Sequence, residues 1–91
     1  MPDETALLAA HNLSRAMWHT LAQLAYGITM TERGLVDESN ARVNLRIVGA
    51  LCRRGLVGRT TGTAASYIVS APSLTPEGWR LFEKLYDAGL R

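Results

Sequence analysis

Apolar residues recur at helical spacing in three stretches of this chain and in two short strand-like runs. Leu13, Met17, Leu21 and Leu24, at spacings of 4, 4 and 3, form one stripe beside Trp18. Ser14 stands where an N-cap is needed and Gly27 where a helix stops, so a helix is predicted from Ser14 to Tyr26. Residues 3–12 predict a short helix with acids at its positive end and no strong core face. Residues 28–38 are expected to form a short helix and turn, with Thr29 or Thr31 as cap and Gly34 as interruption. Ser39 then caps a helix from Asn40 to Arg54, stopped by Gly55. On that helix Arg42, Arg46, Gly49 and Arg53 share a strip about 60° wide, and Leu45, Ile47, Val48, Leu51 and Cys52 fill most of the remainder.

The runs 56–60 and 66–70 read as two strands joined by a small, flexible tip at 61–65, with Pro72 ending the second strand. Thr75, Pro76 and Glu77 together mark the start of a last helix. Its charged arc is Arg80, Glu83, Lys84 and Asp87. Trp79, Phe82 and Tyr86 form one apolar strip, and Leu81, Leu85 and Ala88 another. An apolar arc that wide exceeds what one neighbouring element covers. One strip is therefore expected to close the core and the other to meet a second copy of the chain. The candidate contacts are Leu81, Leu85 and Tyr86, with Leu7 and Leu8 from the N-terminal helix.

These elements predict a mainly α, α+β fold with one small β-hairpin, ordered helix, helix, helix, strand, strand, helix after an extra N-terminal helix. Ninety-one residues suit one domain. Residues 1–13 would form an arm or short helix, 14–74 the central unit and 75–91 a helix suited to dimerisation. A chain of this length buries only about 60% of its unfolded surface, so the core is thin and leaves little room for an effector cavity. Hydrophobic residues at 47% and charged residues at 20% are ordinary for a folded protein. The single cysteine, Cys52, cannot form an internal disulfide, the Met-Pro-Asp-Glu start is acidic, and no apolar run approaches the length of a membrane span. A cytoplasmic protein without membrane insertion is expected.

Charge changes the picture more than composition does. The net charge is only +2, yet Arg42, Arg46, Arg53, Arg54 and Arg59 fall between Ser39 and Thr75, a stretch without Asp or Glu. A cationic helix followed by a hairpin suits a polyanion, because neutralised phosphates release condensed counterions. Arg42 and Arg46, one turn apart near the helix start, are placed for paired hydrogen bonds to guanine, and asparagine can make the equivalent pair to adenine. Arg53 and Arg54 lie at the helix C-terminus, where the dipole alone favours them. Arg59 with Thr60, Thr61, Thr63 and Ser66 offers one charge and several hydroxyls, a set suited to phosphate oxygens.

Other chemistry finds little support. His11 and His19 stand eight apart, too far to share a metal in the i, i+4 manner. Cys52 reads as a small core residue, and Asp37 with Glu38 as helix-start carboxylates. No phosphate-binding glycine loop, nucleophile elbow or metal box is present, so no enzyme, cofactor or metal site is expected.

The order of elements, with RIVGALCRRGLVGR leading into a hairpin and then into SYIVSAPSLTPEGWRLFEKL, resembles the winged helix-turn-helix domains of bacterial regulators of the MarR-like and PadR-like kind. The resemblance rests on Arg46, Val48, Leu51, Arg54, Gly55, Leu56 and Val57, then Tyr67, Leu74, Thr75, Gly78 and Leu81, and covers roughly residues 14–88. It implies that the Asn40–Arg54 helix enters the major groove of double-stranded DNA with its N-terminal half, and that the hairpin lies against the backbone or minor groove. Ser39, Asn40, Arg42, Val43, Asn44 and Arg46 are then the candidate contacts on the helix, with Arg53 behind them and Arg59, Thr60, Thr61 and Thr63 on the hairpin. The chain departs from the family in two places: the segment before Ser39 is shorter and more glycine-interrupted, and Asn44 stands where an aliphatic side chain is usual. Asn44 is either satisfied inside or faces the ligand. The function so implied is a homodimeric, sequence-specific repressor of transcription reading a palindrome. The alternative is a winged helix that binds another protein, as adaptor or inhibitor of a host complex, which the modest net charge and the wide apolar arc of the last helix favour.

Overall fold

The protein is described from a computed structural model covering residues 4–64 and 67–90, with side chains for all of these except 60–64 and 67–70. It is a small α+β protein of four helices and two antiparallel hairpins among the described residues: α1 (Glu4–Ala10), α2 (Arg15–Tyr26), β1 (Ile28–Thr31), β2 (Gly34–Asp37), α3 (Leu45–Arg53), β3 (Val57–Ala64), β4 (Tyr67–Leu74) and α4 (Pro76–Asp87). No helix among them is long and apolar enough to cross a membrane.

α2 forms as its pattern predicts. Ser14 Oγ accepts from the Met17 N–H, and Trp18, Leu21 and Leu24 turn their side chains into the core. α4 starts as predicted too: Thr75 Oγ1 accepts from the Gly78 N–H at 3.1 Å and donates to the Gly55 carbonyl at 2.6 Å. One hydroxyl thus caps α4 and ties it to the end of α3. Gly78 lies against the Leu56 carbonyl, closer than any residue with a Cβ could approach.

Three helices end in the same way. After α1 the Leu13 N–H returns to the Leu8 carbonyl, after α3 Leu56 returns to Leu51, and after α4 Leu90 returns to Leu85, at 2.9, 3.1 and 3.0 Å. The residues just before the returning leucines, Asn12, Gly55 and Gly89, have φ of 56°, 75° and 111°. This is the Schellman stop, and in each case a leucine in the last turn packs with the leucine beyond it in one core. Within that core Trp18 and Phe82 stack, with ring centroids 5.3 Å apart.

Between α2 and α3 the structure differs from expectation. Residues 28–37 form a hairpin, not a short helix, with Ile28 paired to Asp37 and Thr31 to Gly34. Ile28, Thr29, Thr31 and Val36 are β-branched and favour this geometry, and the Thr31 hydroxyl, which could have capped a helix, instead accepts from the Arg33 N–H and donates to the Gly34 carbonyl across the turn.

The expected helix start at Asn40 is also corrected. The Asp37 carboxylate takes the N–H groups of Ser39 and Ala41 and the Ser39 hydroxyl, and Asn40 adopts a left-handed φ of 66°. Residues 41–43 then run extended beside β2, with Arg42 bridged to Val36 and the Val43 N–H donating to the Leu35 carbonyl. Asn44, not Ser39, caps α3: its side-chain oxygen accepts from the N–H groups of Arg46 and Ile47 at 3.0 and 3.3 Å. Both residues are good caps, and the one left free by the Asp37 turn prevails.

The second hairpin is longer than the pattern implies. β3 and β4 pair from Val57 with Leu74 outward to Ala64 with Tyr67, so Pro72 does not end the strand but pairs with Arg59 inside it. Both strands of a two-stranded ribbon are edges, where a missing N–H can face away from the ladder. Residues 61–64 of the expected tip therefore belong to β3, and residues 65 and 66 lie outside the described residues.

Candidate nucleic-acid interface

The first turn of α3 is exposed. Asn44 is held by its capping bonds, Leu45 follows at 63% exposure, and Arg46 is exposed at the second helical position. Arg42 precedes them on the extended segment. It is exposed, and its guanidinium reaches back to donate to the Arg33 carbonyl at 2.9 Å. Arg33, also exposed, occupies the turn of the first hairpin beside Glu32, so Arg42 joins that hairpin to the lead-in to α3.

Arg42 and Arg46 therefore do not share one helical strip: the Asn44 cap separates them and only Arg46 rides on α3. Arg53 is exposed at the opposite end of α3, and Arg59 is exposed on β3. Arg54 donates to the Asn12 carbonyl, which ties the end of α3 to the end of α1. Among the described residues the only ion pair is Arg15 with Glu4, so Arg33, Arg42, Arg46, Arg53 and Arg59 meet no carboxylate.

Several expected contacts stand elsewhere. Val43 is 7% exposed and belongs to the core, because the segment that carries it is extended beside β2 and turns it inward. The Asn44 oxygen is occupied by two backbone N–H groups, which removes the acceptor that an adenine pair needs. The Ser39 hydroxyl donates to Asp37. Asn40 is exposed on the connector. Thr60, Thr61 and Thr63 belong to β3, and their side chains lie outside the described residues. Two of the expected dimer contacts, Leu8 and Leu85, are buried in the core, while Leu7 and Leu81 are half-buried against it. Tyr86 is exposed, with Trp79 and Tyr26, around the edge of the buried Phe82 ring.

Gln23, to which no role was assigned from sequence, and Asp37, expected as a helix-start carboxylate but found holding the turn ahead of α3, position this surface. Gln23, buried on α2, donates through its amide nitrogen to Asp37 Oδ2 at 2.9 Å and to the Arg42 carbonyl at 3.4 Å. Asp37 in turn holds the connector. The Gln23 amide first, then the Ala41 N–H and the Ser39 hydroxyl, lower its carboxyl from the ordinary 3.8 to about 2. Asp37 is thus a fixed anion through neutral pH, and its hydrogen bonds set the path that presents Arg42 and Arg46.

No protein-family model matches the chain, and no curated protein or solved structure matches it either.

Proposed function

We propose that the protein is a winged helix-turn-helix that binds double-stranded DNA in a sequence-specific way and represses transcription as a homodimer in the cytoplasm. The observation that carries this reading is the exposure of Arg33, Arg42 and Arg46 on the hairpin turn, the lead-in and the first turn of α3, none of them in an ion pair among the described residues. In this reading the first turn of α3 enters the major groove, Arg46 pairs with a guanine edge and Leu45 lies against a thymine methyl. Arg33, Arg42, Arg53 and Arg59 neutralise phosphates, and hairpin β3–β4 serves as the wing. Hairpin β1–β2 takes the place of the helix that normally precedes the reading helix. Trp79 and Tyr86, with Leu81, supply the contact between copies, and two reading turns about 34 Å apart would address a palindrome.

Selection of bound sequences from a random duplex library tests the reading. A motif with two-fold symmetry is expected, with log K falling against log salt at a slope of about −4 per subunit. Arg46→Ala should relax one base position by about 1–3 kcal/mol, whereas Arg42→Ala should weaken all sequences alike. No enriched motif, or unchanged affinity in both variants, overturns it. The second reading, a winged helix that binds another protein, draws on the exposed aromatic edge of Tyr26, Trp79 and Tyr86; retention of the pure chain on DNA only at low salt, with one stoichiometric protein partner, would favour it.

A further inference from the structure

A cavity of about 640 Å3 opens between α2 and the turn at Asp37, Glu38 and Ser39, although so thin a core was expected to leave little room for one. Its size lies in the range of small-molecule sites, and its walls share their character: mostly apolar, with a few polar groups. Trp18, Ala22 and Tyr26 supply the apolar surface. Gln23, Asp37 and Glu38 line it too.

The polar groups at that side have one sign. Gln23 is 4% exposed, and both hydrogen bonds of its amide leave from the nitrogen toward acceptors, the Asp37 carboxylate and the Arg42 carbonyl. That arrangement fixes the orientation of the amide and leaves its oxygen over. No donor among the described residues reaches Gln23 Oε1, yet no fully buried side-chain oxygen or nitrogen among them lacks a partner. The oxygen must therefore face open space, and the space that Gln23 lines is the cavity. Beside it stand two carboxylates, Asp37 and Glu38. Arg15 and His19 also line the cavity; Glu4 pairs with Arg15, whereas Glu38 meets no cation among the described residues.

We propose that this cavity binds a small organic cation, with an aromatic body against Trp18, Ala22 and Tyr26 and an ammonium or amidinium group that donates to Gln23 Oε1 beside Asp37 and Glu38. An anion would meet an unpaired acceptor and two like charges in the same place, and a neutral ring would leave the acceptor unsatisfied. The proposal stands apart from nucleic-acid binding.

Titration of the full chain with tryptamine, followed by calorimetry and amide NMR, tests it, with indole-3-acetate as the ring of opposite charge. Tryptamine should shift the Gln23 side-chain amide and the Trp18 indole resonance and bind at least about tenfold more tightly than indole-3-acetate. Glu38→Gln, at an exposed position, should weaken tryptamine by about 3–10-fold without lowering the melting temperature. Ala16→Trp, on the exposed rim, should abolish binding by filling the mouth. Equal binding of indole-3-acetate, shifts confined to residues away from α2, no saturable binding in the millimolar range, or indifference to both substitutions overturns the proposal.

Discussion

Replacing Gly78 by alanine would put a methyl carbon 2.0 Å from the Leu56 carbonyl oxygen, 2.9 Å from Leu74 Cδ2 and 3.0 Å from the Leu56 carbonyl carbon. The leucine methyl can rotate away; the peptide cannot, because the Leu56 carbonyl also accepts from the Thr75 N–H and the Leu56 N–H closes the end of α3. Relief requires α4 to retreat by about 1 Å, which loosens Phe82 and Leu85 in the core, and overpacking of this kind costs about 1–3 kcal/mol or more. The opposing gain in helix propensity is at most about 1 kcal/mol and smaller in a first turn. A net loss of about 2 kcal/mol is expected, which in a chain of this size lowers the melting temperature by about 8–16 °C. Gly49→Ala is the matched control. Gly49 lies within α3 with nothing beyond its own helix backbone within 4 Å of its would-be Cβ, so alanine there should stabilise by about 0.5–1 kcal/mol. Urea and thermal unfolding followed by circular dichroism measure both. A loss below about 0.5 kcal/mol in Gly78→Ala, or shifts of the same sign in the two variants, would refute the close approach of α4 to Leu56.

The other predictions concern the lead-in to α3. Asn44→Ala should cost about 1 kcal/mol by urea denaturation and Asn44→Asp much less, since aspartate keeps the capping oxygen. Gln23→Leu removes the amide that donates to Asp37 Oδ2 and the Arg42 carbonyl and should cost about 1–3 kcal/mol on the same assay. Because the carboxyl of Asp37 is lowered to about 2 in the fold from 3.8, its contribution is complete above about pH 4 and is lost as pH falls through 2. Melting temperatures at a series of pH values from neutral to 2 should therefore fall less steeply in Asp37→Asn than in the parent chain.

Much of the fold was legible because its signals are local. Ser14 and Thr75 cap the helices they were expected to cap, and Gly55 ends α3 where the pattern stops. The segment from Ile28 to Asn44 was not legible. There, Thr29, Thr31 and Ser39 serve equally as helix caps or as strand and turn residues, and the deciding contact comes from Gln23, distant in sequence and indistinguishable there from any polar residue on a helix face. That misreading placed Val43 on the surface and Arg42 on the helix, while Arg46, beyond the Asn44 cap, kept its helical position and its exposure. On α4 the wheel separated two apolar strips, but only packing shows that both reach inward, through Phe82 from one and Leu85 from the other, leaving Trp79 and Tyr86 at the edge.

The leucine-closed helix ends bear on how the chain reaches its native state. In α1, α3 and α4 the stop is written within six consecutive residues, from Leu8 to Leu13, Leu51 to Leu56 and Leu85 to Leu90, so each segment can form and terminate before any distant partner arrives. Contacts close in sequence forfeit little chain entropy, and structures built from them fold quickly. The slow step then falls to the bonds that join remote segments, Gln23 to Asp37 and Arg54 to Asn12. Substitutions at those joints should retard refolding more than substitutions at the terminators do.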